Sequence, residues 1–127
     1  GRIINITTVG GKAPEGGSVP TSVSRAAGIA LTKAMSKEYA ADNILVNTVC
    51  IGLIKSGQHD RLADETNAQD PQATRKGFYA EWGKSVPLGR IGETQEAGDL
   101  ITFLASARAA YITGASVNID GGMSAVV

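Results

Sequence analysis

Two short apolar runs on either side of one long helix-patterned segment constrain this chain most. Arg2 to Thr7 (RIINIT) carries isoleucines at positions 3, 4 and 6, and Ile44 to Cys50 (ILVNTVC) is similarly apolar. Runs this short and this rich in β-branched residues read as strands, apolar on both faces as in a buried parallel sheet. Between them Val23, Ala26, Ala27, Ala30, Leu31, Ala34 and Met35 recur at helical spacing up to about Ala41. A strand, a long helix and a second strand in that order point to parallel pairing, because the helix returns the chain to the edge where it began.

The rest of the chain extends this alternation. Thr8 to Pro20 holds four glycines and two prolines and reads as a loop, with Thr21 and Ser22 able to cap the helix after it. Asp42-Asn43 ends that helix. After Gly52 the sequence is polar and lid-like to about Pro87, with short helices expected near 59–66 and 71–82. Thr94 to Ala105 is a further helix, capped by Thr94, with Ala97, Leu100, Ile101 and Leu104 on one face. Gly114 introduces a last strand, Ser116 to Ile119, and Asp120-Gly121-Gly122 turns out of it. The order is that of half of a doubly wound α/β fold, with no repeat or linker dividing residues 1–127.

Composition excludes several classes of partner. Twelve basic and twelve acidic side chains cancel, so there is no electrostatic case for nucleic acid or a membrane surface. The longest mostly apolar run, LITFLASARAAYI, is too short to span a bilayer. A single cysteine, Cys50, rules out an internal disulfide and suits a reducing compartment, and with no signal peptide visible a cytoplasmic location is expected. No second His, Cys or acidic side chain stands at ligand spacing from His59, so no metal site is expected.

Four segments carry more specific information: GRIINITTVGGK, VPTSVSRAAGIALTKAMSKEYA, LVNTVCIGLIKSG and YITGASVNIDGG. Together they resemble the carboxyl-terminal half of a short-chain dehydrogenase/reductase. In that family the corresponding stretch reads N-I-S-S, then Y-x-x-x-K opening a long helix, then V-N-x-x-x-P-G. Here Thr8 stands at the serine position, Thr21 at the tyrosine, Arg25 at the lysine, and Ile51 at the proline before Gly52. The resemblance implies a three-layer Rossmann-like fold, NAD or NADP as cofactor, and a small-molecule carbonyl or alcohol as substrate. It also implies a cofactor-facing surface at Arg25, Ile51, Gly52, Ile54 and Ser56, and a subunit interface built on the long helix. The family's dinucleotide-binding half would precede Gly1. The expectation is therefore a chain that does not bind cofactor alone and that belongs to a homo-oligomer or to a missing amino-terminal half.

The three altered catalytic positions are not equally damaging. A phenol has a pKa of about 10 and can be tuned towards neutrality, whereas the hydroxyl of Thr21 is a far weaker acid on a shorter side chain. Arg25 stays protonated under ordinary conditions and cannot join a proton relay, although its fork of donors can hold ribose or phosphate oxygens. Thr8 keeps a hydroxyl able to orient a carbonyl. The spacing of four residues still puts positions 21 and 25 on one helix face. The chain is thus expected to be catalytically impaired by itself. The alternatives are a non-catalytic relative serving assembly or ligand binding, and a different chemistry that takes its proton from water. Among other groups, Tyr79 reads as a lid aromatic covering a pocket, His59 as a solvated surface residue, and Cys50 as an inert buried thiol. The glycines at 10–11 and 16–17 read as surface loop, because they do not open onto a helix as a pyrophosphate cradle must.

Overall fold

Strand β2 (Leu45–Ile51) runs between β1 (Arg2–Thr8) and β3 (Ser116–Ile119) in a three-stranded sheet, parallel to both. The computed structural model describes residues 1–68, 70 and 72–127. The other elements are helices α1 (Val19–Glu38), α2 (Gly57–Asn67), α3 (Arg75–Gly83) and α4 (Thr94–Ala105). Helix α1 lies against one face of the sheet and α4 against the other, giving the expected three-layer α/β arrangement. Among the described residues no helix is long and apolar enough to cross a membrane.

The two faces of the sheet differ chemically. On the α4 face Val49, Leu104 and Ala109 form a fully buried core, with Ile4, Ile51, Leu100, Ile101, Ile112 and Ile119 packed around it. The α1 face is lined instead by Asn5, Thr7, Thr48, Cys50, Ser116 and Asn118, which the strand register places side by side. These groups are satisfied within the layer. Thr48 Oγ1 donates to Thr32 Oγ1 at 2.6 Å, and Asn5 Nδ2 donates to the same oxygen at 2.8 Å. Thr32 in turn donates to the Gly28 carbonyl at 2.9 Å. Lys12 reaches over the sheet end to the Ser116 carbonyl at 2.8 Å and to Asn118 Oδ1 at 2.6 Å. A buried polar layer is tolerable only when its members are paired in this way, since each unpaired group costs roughly 1–3 kcal/mol. Strand β1 is therefore not apolar on both faces as its isoleucines suggested.

The polar layer also decides which way α1 faces. Ser22, Thr32 and Ser36 are the buried residues of this helix. Its apolar stripe points outward, with Val19, Val23 and Leu31 exposed by 68%, 63% and 55%, and Ala26, Ala27, Ala30 and Ala34 exposed beside them. The helical spacing was legible, but the hydrophobic side is the outer one because the sheet offers α1 hydroxyls and amides. Gly28 allows the close contact; a Cβ there would lie 3.2 Å from Thr7 Cγ2.

Several boundaries move. Helix α1 starts at Val19, not after a Thr21 or Ser22 cap: Pro20 sits in its first turn, where a missing N–H is harmless, and Ser18 is the N-cap residue. The helix stops at Glu38, and a 3₁₀ turn over Ala40–Asp42 with Asn43 at φ 55° leads into β2. Helix α3 begins at Arg75; the expected start at 71 lies outside the described residues. Helix α4 is capped by Glu93 in a reciprocal box with Glu96. Thr94, the residue expected to cap it, is the first helical residue and donates to the Lys55 carbonyl at 2.9 Å. Arg90 grips Glu96 in a two-pronged ion pair at 2.7 and 2.8 Å. Those bonds, with the Glu93 N–H, hold the Glu96 carboxyl down to about 2.

Candidate functional site

In a parallel sheet the carboxyl ends of the strands and the turns after them form the natural crevice. Here that edge comprises Thr8 at the end of β1 and Ile51-Gly52 at the end of β2. Two adjoining clefts open from it and share Thr8, Ile51 and Gly52. The first is completed by Arg25, Ile54, Ser56 and His59. The second is completed by Thr21, Ser22, Glu15, Leu53 and Met123. All seven residues singled out in the sequence thus meet at one seam. Thr21 and Arg25, one helical turn apart, fall on opposite sides of it.

Gly52 is dictated by packing. A Cβ there would lie 2.6 Å from the Asp120 Cβ and 2.8 Å from its Cα, and the Gly52 N–H donates to the Ile119 carbonyl at 3.0 Å. Asp120 is itself pinned: its carboxylate accepts from the N–H groups of Gly122 at 3.0 Å and Ser124 at 2.7 Å. Gly121 and Gly122 adopt φ 65° and 86° in that turn, a region open to glycine. Two residues on, Ile54 is buried and bridges to Gly92, whose missing side chain leaves room for its Cδ1. The Ile54 carbonyl accepts from His59 Nδ1 at 2.8 Å. Ser56 caps α2 by accepting from the His59 N–H at 3.3 Å. Of the expected cofactor-facing groups, Gly52 and Ile54 therefore spend main-chain groups within the protein. Arg25 is exposed and has no acidic partner among the described residues.

Thr21 is exposed, and its hydroxyl makes no hydrogen bond among the described residues; only its carbonyl accepts, from Ser24 Oγ at 2.9 Å. Among the described residues no tyrosine lines either cleft. Tyr79 is instead part of a clasp between α2 and α3. Its hydroxyl donates to Asp60 Oδ1 at 2.5 Å, and Arg75 binds Asp64 through two nitrogens at 2.7 and 2.5 Å while facing Asp60. Burial and the bond to Asp60 push the Tyr79 phenol up to about 12, which makes it a poorer acid. His59 is not the solvated residue its polar neighbours suggested. It is half-buried, bonded to Ile54 and edge-on to Trp82 with ring centroids 5.2 Å apart. Glu15 and Met123 had no motif to mark them: both come from irregular segments, where position in the cleft depends on tertiary path alone.

Residues 1–124 match a family model described as enoyl-(acyl carrier protein) reductase. Oxidoreductase UcpA of Salmonella typhimurium is 35% identical over 96% of this chain and 45% of its own length. The L-sorbose reductase of Gluconobacter frateurii, solved with NADPH and L-sorbose, superimposes with a TM-score of 0.91 at 28% identity, over 100% of this chain and 48% of that one. An NADPH-bound short-chain oxidoreductase of Pseudomonas aeruginosa, described as containing an atypical catalytic center, gives 0.84 at 34% identity over 99% and 47%. The chain spans about half the length of these relatives. With nearly every residue matched and the carboxyl-end seam in place, the chain belongs to the short-chain dehydrogenase/reductase family.

Proposed function

We propose that this chain supplies the nicotinamide-facing and substrate-facing half of an NAD(P)-dependent oxidoreductase acting on a small carbonyl or alcohol, in which residue 21 does not carry the proton. The supporting observation is the shared seam: Thr8, Arg25 and Ser56 border one cleft, and through Thr8 and Gly52 it opens onto the cleft of Thr21. The donor set fits a nicotinamide nucleotide, since Arg25 presents uncommitted donors suited to ribose hydroxyl oxygens and Ser56 is exposed at the rim. A nicotinamide held there would supply hydride exchange with the substrate carbon. Thr8 then orients the substrate oxygen, and the exposed Thr21 leaves that oxygen open to water as its proton partner. The Pseudomonas relative supports this reading, because NADPH binding and an atypical centre coexist in that protein.

The test uses the chain joined to its complete reading frame. NADPH fluorescence titration is expected to show binding, weakened about 10- to 100-fold in Arg25→Met, the effect of one charge-assisted hydrogen bond. No detectable NADPH binding by the full-length protein would rule the proposal out. Residues 1–127 alone are expected to show no NAD(P)H turnover.

The outward stripe of α1 supports a second element of the proposal, a homo-oligomer in which a second copy covers Val23, Leu31 and the alanines between them. Exposed apolar surface of this extent is characteristic of an interface. The double variant Val23→Asp/Leu31→Asp of the full-length protein is expected to lower the mass measured by light scattering. An unchanged mass would remove α1 from the interface.

A further inference from the structure

We infer that Glu15 makes the Thr21 cleft selective for neutral, hydroxyl-bearing carbonyl substrates and against carboxylate-bearing ones. This rests on the reading above that the cleft receives the substrate. Glu15 is the only charged side chain among the described residues that line this cleft, beside the hydroxyls of Thr8, Ser18, Thr21 and Ser22 and an apolar wall that includes Ile51, Leu53 and Met123. It has no cationic partner among the described residues.

Its place at the cleft is anchored by hydroxyls. Ser18 Oγ donates to the Glu15 carbonyl at 2.9 Å, which spends the Ser18 proton. In the 2.8 Å contact between Ser18 and Ser22 the donor is therefore Ser22. A relay of two hydroxyls thus ties the backbone of residue 15 to the first turns of α1, and Ser22, 7% exposed, is its fixed end. The backbone of the loop is held where it stands, with the exposed Glu15 side chain at the rim of the cleft.

The chemistry follows from the donor inventory. A carboxylate is an acceptor only, with two oxygens able to take hydrogen bonds from a pair of adjacent substrate hydroxyls. The hydroxyls of Thr8 and Thr21 can both donate to and accept from the same polyol, while Leu53 and Met123 cover its carbon face. A substrate carboxylate entering this cleft meets a like charge and, among the described residues, no lysine or arginine lining it. Arg25 borders the other cleft.

The experiment takes the full-length protein with NADPH bound and measures, by calorimetry, the affinity for L-erythrulose and for pyruvate. Wild type is expected to prefer erythrulose. Glu15→Ala and Glu15→Gln are each expected to weaken erythrulose binding about 10-fold and to strengthen pyruvate binding, reversing or flattening the ratio. Glu38→Gln, an exposed position near the far end of α1, serves as control and is expected to change neither. If erythrulose and pyruvate bind but both Glu15 variants keep the wild-type ratio, the selectivity assigned to Glu15 is wrong while the site reading stands. If neither compound binds the NADPH-loaded wild type, the substrate reading of the cleft falls, and the Glu15 proposal with it.

Discussion

Gly52→Ala is expected to cost at least about 3 kcal/mol of stability, the upper part of the range for forcing a methyl group into a closed site. The added Cβ would meet the Asp120 Cβ at 2.6 Å and its Cα at 2.8 Å, so one of the two contacts is with backbone. No rotamer change relieves such a contact. Strand β2 and the exit of β3 would have to separate, and the 3.0 Å bond from Gly52 N–H to the Ile119 carbonyl lies in that separation. For a domain of this size the loss corresponds to a fall in Tm on the order of 10 °C or more. Gly98→Ala is the matched control. Gly98 lies inside α4, and a Cβ there would meet nothing closer than Gln95 Nε2 at 3.8 Å. That variant is expected to gain up to about 1 kcal/mol from helix propensity. Calorimetric melts of the two variants against wild type decide the matter. A Gly52→Ala protein melting within a degree or two of wild type would mean the strand ends are freer than their geometry implies.

This seam was legible in the sequence only as a resemblance. Isoleucine stands at 51 where the family has proline, a change that removes a fixed φ angle from the turn. In the structure the turn is fixed by Gly52 against Asp120 and by the hydrogen bond to β3, so its shape does not depend on a proline ring. The strands and the α4 stripe were readable because local period and burial coincide there, as at Val49 and Leu104. Helix α1 was half-readable. Its period is plain, yet its orientation depends on Asn5, Thr32 and Thr48 pairing across the layer, a tertiary fact with no local signature. The same limit explains Tyr79. It lies in a helix, as its segment suggested, but only the fold shows its hydroxyl committed to Asp60 and away from the seam.

Restoring a phenol at position 21 is the variant expected to change chemistry most. In Thr21→Tyr/Arg25→Lys, made in the full-length protein, the tyrosine hydroxyl reaches further into the cleft that Thr21 lines, and the ammonium stands one turn away. The cation favours the phenolate and lowers the phenol's pKa from about 10, bringing it into range for proton exchange with a carbonyl oxygen. A positioned general acid contributes roughly 10²- to 10⁴-fold, so NADPH-dependent reduction of a small ketone is expected to rise by about 100-fold or more. The site has room for the change because Thr21 is exposed and its hydroxyl holds no partner that the substitution would orphan. Single variants separate the contributions. Thr21→Tyr alone is expected to give the smaller share of the gain, with a pH profile displaced upward, because Arg25 donates from a fork shaped for oxygens rather than as a compact charge beside the ring. Arg25→Lys alone is expected to gain nothing, since the aliphatic hydroxyl of Thr21 is too weak an acid for a neighbouring cation to bring into range. Steady-state rates with a fixed ketone, alongside NADPH titrations showing unchanged cofactor affinity, give the comparison. If the double variant binds NADPH as wild type does and is no faster, then either proton transfer does not limit the reaction or another group already performs it.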